Sequence, residues 1–328
     1  MTLVRIIKNW DWPDLMRQTP GKRGIWDNIQ FTVDPVEECD FVIMLNNNMK
    51  SQSIVKCPKE NIWALMQEPY VKGFTDWMVE GHEPFSHVYT HYIPSNHSRY
   101  IVSQPALPWH INKSFDQLSQ MDIPPKSKAI SWIVGNAMNI PGHIKRRSFL
   151  QFMQNNASID IDLFGRAVQV IEDKWDGLAP YKYSLAVENS CSSDYWTEKI
   201  ADCFLSWTIP FYYGCTNLEK YFPEESFIRI DIDKPQIAMD RIKSAIKNNE
   251  WEKRLPALKT AREKVLNQYQ LFPHLAKEIQ SYHSKDENKI LTLISPYKKS
   301  IKTILNRRIF KIKMGAKKRF GKKYKNRS

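Results

Sequence analysis

The segment VENSCSSDYWTEK, residues 187–199, gathers Glu188, Asn189, Tyr195, Thr197, Glu198 and Lys199 between an apolar run and the start of a helical pattern. Two carboxylates, an amide, hydroxyls and an ammonium at one strand-to-helix turn suit an anionic, hydroxyl-rich ligand. A helix start offers free N–H groups and a partial positive charge to a phosphate. A lysine in the first turn neutralises a diphosphate, and a glutamate accepts from sugar or ribose hydroxyls. The plainer reading makes Asp194 the helix cap, Glu198 a partner of the helix dipole and Lys199 a solvated group. Spacing alone does not displace it.

A second chemical candidate is Glu68 in WALMQEPYVKGF (63–74), at the end of a predicted strand and before Pro69. Asp40 and Glu83 are less favourable bases. Trp10 and Trp12, in the loop NWDWPD after the first strand, offer rings that stack on a sugar or pack against the core. His82, His87 and His91 do not make a metal set, because FSHVYTH reads as a strand in which His87 and His91 stand about 13 Å apart. Asp160, Asp162, Asp231 and Asp233 alternate within β-like segments and read as strand-end carboxylates.

These residues need elements to position them. Apolar segments at 3–7, 29–33, 40–45, 62–67 and 87–91 predict strands of a first α/β domain over 1–120. MDIPPKSK (121–128) reads as a linker. Strands at 129–135, 159–165, 183–188, 209–214 and 226–232 then alternate with helices at 143–154, 195–207 and 235–249. That alternation predicts a parallel sheet of Rossmann type, which binds ligands beyond the carboxyl ends of its strands. The second domain spans 129–290, with residues 251–285 helical.

The chain of 328 residues carries a net charge of +13, but residues 298–327 hold 14 Lys and Arg and no acid. Removing those 14 leaves about −1 for the rest. The near-neutral body argues against a nucleic-acid-binding protein, which would show a basic face there as well. In the tail (291–328), Ile301, Leu305, Ile309, Ile312 and Phe320 fall near one helical face among basic residues. Three destinations fit: an anionic membrane, nucleic acid, or a disordered solubilising end. Five cysteines without a CxxC, and no long apolar run, favour a reducing compartment and a soluble or peripheral protein.

The stretch YKYSLAVENSCSSDYWTEKIADCFLSWTIPFYYG, continued by SFIRIDI, resembles the signature region of the α-1,3/4-fucosyltransferases, glycosyltransferase family 10. SWIVGN, KRRSF and IDLFG extend the likeness backwards. The resemblance implies a GT-B fold, two Rossmann-like domains facing a central cleft. It implies inverting transfer of fucose from GDP-fucose to a glycan hydroxyl, in an α-1,3 or α-1,4 linkage. By position it implies donor binding by Glu188, Asn189, Tyr195, Glu198 and Lys199, and by Arg146 of R-x-x-F, with Arg147 as the alternative register. It makes Glu68 the general base and leaves Trp10 and Trp12 for the acceptor. No metal is required, with Mg or Mn a stimulant at most. It also implies a bacterial-type, cytoplasmic enzyme, peripheral on the inner membrane face through its tail, acting on an oligosaccharide or lipid-linked glycan such as lipopolysaccharide O-antigen or capsule. On that view, losing the tail spares chemistry on a soluble acceptor. Rival readings are another GDP-deoxyhexose donor on the same fold, a basic-tailed nucleic-acid binder, and a silent glycan-binding relative.

Overall fold

The computed structural model describes residues 1–156, 159–166, 168–282 and 288–323, with side chains described to residue 315. Phe320 therefore lies outside the described side chains. The first unit contains β1 (Thr2–Ile7), β2 (Ile25–Trp26), β3 (Ile29–Thr32), β4 (Phe41–Leu45), β5 (Ser53–Pro58), β6 (Ile62–Leu65), β7 (His87–Thr90) and β8 (Tyr100–Val102). All but β5 join one sheet in the order β2-β3-β1-β4-β6-β7-β8, parallel except between β2 and β3. β4 and β6 are buried throughout, so their sequences read as unbroken apolar runs rather than as alternation. Leu45 and Leu65 face one layer, Met44 and Ala64 the other. β8 falls in a stretch that reads as irregular, because three residues at a sheet edge carry too short a pattern.

A short helix, α1 (Phe115–Ser119), closed by a capping box from Ser114 and Gln117, precedes the crossing to the second unit. There β9 (Lys128–Ile133), α2 (Pro141–Asn155), β10 (Asp162–Phe164), β11 (Tyr181–Val187), α3 (Glu198–Leu205), β12 (Ile209–Tyr213), β13 (Ile228–Arg229), α4 (Pro235–Lys247) and α5 (Glu250–Lys264) follow. The sheet is fully parallel, in the order β10-β9-β11-β12-β13. The order reverses between β9 and β11, which opens a crevice beyond their carboxyl ends. The core is aromatic: Trp132, Phe149, Tyr183, Phe204, Phe211 and Phe222 are all buried, each worth about 2–3 kcal/mol of burial. The predicted strand over 226–232 shrinks to Ile228–Arg229, with Asp231 and Asp233 in the turn after it.

After α5 the chain returns to the first unit. One face of α6 (Leu271–Ser281), carrying Leu271, Phe272, Leu275 and Ile279, packs on Val4, Ile6, Ile43 and Leu65. β14 (Lys289–Ile294) then pairs antiparallel with β5, and α7 (Ile301–Lys323) follows. Neither strand of this ribbon is expected from the sequence, where residues 291 onward read as tail. Its outer side chains Ile54, Leu291 and Leu293 are exposed, so the apolar pattern does not mark a buried strand.

Candidate active site

The two units meet at a cleft of about 340 Å³ lined by Trp10, Trp12, Gln67, Glu68 and His110 from one side and Asn189, Tyr195, Thr197, Glu198 and Lys199 from the other. Several of these side chains owe their place to a strand end, while His110 comes from the crossing between the units and Thr197, Glu198 and Lys199 from the start of α3. Trp10 and Trp12 follow β1, Glu68 follows β6, and Glu188 and Asn189 follow β11. The cleft thus lies where sequence reasoning expects a ligand in parallel α/β units.

Helix α3 starts at Glu198, three residues later than its pattern suggests. Tyr195 and Trp196 are apolar at the right spacing, but they are buried just ahead of the helix rather than within it. The cap is Thr197, not Asp194. Asp194 takes a positive φ of 58° and accepts from Asn217, Lys220 and Tyr221. Thr197 Oγ1 also donates to Glu188, at 2.8 and 2.9 Å, and accepts from Lys199 Nζ at 3.0 Å. Lys199 Nζ lies 3.2 Å from both Glu188 Oε2 and Glu198 Oε1. Its three N–H groups therefore each have a protein oxygen. In this state Lys199 organises the carboxylates, and any further acceptor must compete for it.

The two glutamates answer differently to burial. Burial pushes the Glu188 carboxyl up despite Lys199. Burial would also raise Glu198, but the cations Lys199 and Lys174 beside it hold Glu198 well below the usual carboxylate range. Glu198 is therefore a fixed hydrogen-bond acceptor. Glu188, fully buried, stands behind Lys199 and borders an adjoining cavity of about 250 Å³ with Tyr70, Gly142, Lys145 and Asn189.

Arg146 is buried on α2, and its Nη1 donates to Asn189 Oδ1 at 2.7 Å. Arg147 points to solvent on the far side of the same turn. Of the two, Arg146 is the one that is buried and reaches Asn189, one i,i+3 step before buried Phe149. Gly142 lets the first turn of α2 approach the Asn189 carbonyl, since a Cβ there would lie 1.9 Å from that oxygen.

Glu68 faces the cleft from the opposite wall. Its side chain is exposed at the cleft mouth, and the surrounding cleft walls, rather than burial of the side chain itself, push its carboxyl up, opposed by Lys199 and reinforced by Glu198. Among the described residues no hydrogen bond holds it. Gln67 beside it is pinned, its N–H donating to Asn46 and its amide to Pro105. The alternatives sit elsewhere: Asp40 accepts from the Leu3 N–H and pairs with Lys289.

Trp12 is 58% exposed with its ring 4.9 Å from that of His110, whereas Trp10 is half-buried against the first core. Of the three histidines, only His91 approaches the cleft, its ring 4.7 Å from that of Tyr195. His82 lies between the Trp77 carbonyl and Tyr100, and His87 bonds Ser86. Asp162 pairs with Lys128 and Asp233 with Lys145. Among the described residues no group of three His, Cys, Asp or Glu is arranged to hold a metal ion. The five cysteines are unpaired.

Sequence reasoning misses His110, Lys174 and Asp202. Asp202 had a signal, lying one turn after Glu198 on the same helix. His110 and Lys174 had none, because only the fold brings them to α3.

Residues 123–257 match the family model described as glycosyltransferase family 10 (fucosyltransferase) C-term. A 4-galactosyl-N-acetylglucosaminide 3-alpha-L-fucosyltransferase 9 of Mus musculus is 31% identical over 134 residues, covering 39% of this chain and 36% of that protein, and the Homo sapiens protein of the same name matches equally. The match thus spans about a third of the curated relatives' length. Among solved structures, an alpha1,3-fucosyltransferase with GDP-fucose aligns over 83% of this chain and 92% of its own at 17% identity and a TM-score of 0.47. TarM aligns over 73% and 54% at 9% identity and a TM-score of 0.44. Asn189, Tyr195, Thr197, Glu198 and Lys199 of the cleft wall, with Arg146 behind them, lie wholly within the residues, 123–257, that match this family model.

Proposed function

We propose that this chain transfers fucose from GDP-fucose to a glycan hydroxyl with inversion, Glu68 acting as base. The observation that carries the reading is one cleft with the Glu68 carboxylate, which has no hydrogen-bond partner among the described residues, on one wall and the Asn189–Glu198–Lys199 cluster, backed by Arg146, on the other. The acceptor oxygen attacks the anomeric carbon, the bond from that carbon to the GDP oxygen breaks, and the hydroxyl proton passes to Glu68. Arg146 and Lys199 oppose the charge that grows on the leaving diphosphate. With two cations on that side, the chemistry needs no metal. Glu198 accepts from hydroxyls of the ribose or sugar, Tyr195 and Asn189 fix the donor, and Trp12 and Trp10 offer faces to the acceptor. Another GDP-deoxyhexose would fit the same chemistry.

Calorimetry of the purified protein with GDP-fucose, GDP-mannose, GDP and a UDP-sugar tests this. GDP-fucose binding well above GDP-mannose is expected. Equal binding of every GDP ligand would leave the sugar open, and no GDP binding would overturn the reading.

The tail supports a membrane-bound setting. One side of α7 docks on the first unit through Thr303, Phe310 and Met314, leaving Ile301, Leu305, Ile309 and Ile312 exposed among Lys and Arg. A helix turned apolar side outward suits an anionic bilayer and a lipid-linked acceptor at the inner membrane face of a bacterial cell, such as an O-antigen or capsule precursor. No helix among the described residues is long and apolar enough to cross a membrane. Cosedimentation with phosphatidylglycerol vesicles, lost at high salt and absent with phosphatidylcholine, is the expected result.

A further inference from the structure

His110 reaches the cleft from the crossing between the two units. Its backbone N–H donates to Asp202 Oδ1 at 2.8 Å, tying the crossing to α3. Lys174 Nζ lies 3.2 Å from Asp202 Oδ2 and 3.4 Å from His110 Nδ1. Glu198 Oε1 is 3.9 Å from the same Nδ1. An ammonium has only donors, so Nδ1 must accept from it. That contact requires the ring proton to be on Nε2. Among the described residues Nε2 has no partner, and the side chain, 26% exposed, opens on the cleft beside the ring of Trp12. Burial, outweighing Glu198 and helped by Lys174 and Lys199, pushes the imidazole down to about 3, so it stays neutral.

We propose that His110 is a specificity-determining residue of the cleft, its Nε2–H donating to an oxygen of the acceptor pyranose that lies against Trp12, and that Lys174 is the positioning residue that fixes this tautomer. The pairing is one that sugar sites use repeatedly in chemical terms: an aromatic face for the C–H side of a ring and a fixed donor for its oxygens. A lysine beside the imidazole, rather than a carboxylate, keeps it from becoming a second general base: protonation would place two cations side by side. His110 is therefore a reader of hydroxyl position, and the proton transfer stays with Glu68. The inference rests on the proposed sugar-transfer reading of the cleft.

The test uses full-length protein labelled with ¹⁵N-histidine, and N-acetyllactosamine as the acceptor probe. The His110 signal, assigned with a His110→Gln variant, should show the Nε2–H tautomer and should move on adding the disaccharide. In Lys174→Met the tautomer should become mixed. His110→Phe should raise the acceptor KM roughly three- to tenfold, the loss of one neutral hydrogen bond, with the GDP-fucose KM within about twofold. His110→Gln, whose amide reaches the Nε2 position, should recover most of that loss. An Nδ1–H tautomer in the wild type overturns the inference, as does a His110 signal unmoved by the disaccharide up to its solubility. If GDP-fucose alone moves the signal and its KM rises in His110→Phe, the partner is the donor sugar and the acceptor assignment falls. Failure of the wild type to bind GDP-fucose by calorimetry would instead sink the sugar-transfer reading itself, and is told apart because it precedes any effect of the variants.

Discussion

At the scale of single residues the cleft divides labour by environment. Glu198 and Glu68 are both glutamates on facing walls, yet cations hold one ionised and lost hydration raises the other. A raised carboxyl is a stronger base, and it works only when ionised. The acid limb of the kcat/KM profile should therefore lie above the ordinary carboxylate value, rate falling as pH drops through the Glu68 pKa. Glu68→Gln should abolish that limb and cut turnover at least about a hundredfold, within the range general-base catalysis supplies, with GDP-fucose binding unchanged by calorimetry. Lys199→Met should act differently. It removes the charge from between two buried carboxylates, so GDP affinity should fall at least about tenfold and the melting temperature should fall with it. A variant with wild-type GDP affinity would remove Lys199 from the phosphate site. Both residues stand out in the sequence, each after an apolar strand at a turn rich in polar groups, but the roles expected of them come from the family resemblance and not from spacing. His110 and Lys174 do not stand out, since their role comes from partners 92 and 28 residues away.

At the scale of elements, the site depends on how closely α2 meets the end of β11. Gly142 permits that approach, with no room for a methyl group against the Asn189 carbonyl. Gly142→Ala should push the first turn of α2 away, carry Arg146 off Asn189, and weaken GDP binding several-fold while leaving the far sheet edge intact. Proton exchange of the Asn189 and Arg146 side chains, followed by NMR, would register the separation. Unchanged GDP affinity would show that α2 does not position the donor. Gly214 meets a similar constraint on the other side, at φ 155° with the Glu188 side chain against its α-carbon. The sequence marks these elements well where both faces are buried, as in β4, β6 and β11. It misjudges the start of α3, because Tyr195 and Trp196 carry helical spacing while tertiary packing buries them ahead of the helix. The ribbon of β5 and β14 is missed for the opposite reason, having little burial to announce it.

At the scale of the whole molecule, the tail is less separate than its charge suggests. Glu80 accepts from Tyr297, Ser300 and Thr303 at the start of α7, and Phe310 stacks near Phe74. The segment holding Glu80 and Phe74 is the continuation of the Glu68 loop. Deleting residues 297–328 should therefore lower the stability of the first unit by roughly 2–4 kcal/mol in thermal or urea unfolding, from the lost burial and hydrogen bonds, and should slow turnover of a soluble acceptor. Stopping after residue 315 should change neither. Full activity and stability after the longer deletion would restore the expectation of an independent tail. The return of α6 to the first core has a consequence for synthesis. The second core is drawn from one unbroken stretch, 109–266, whereas the first lacks a layer of its core until residues 271–279 exist. As the chain leaves the ribosome, the unit begun first must wait, its apolar sheet face uncovered, while the unit begun second is already able to close. Released chains ending near residue 268 should be protease-resistant over 109–266 and cleaved within 1–106.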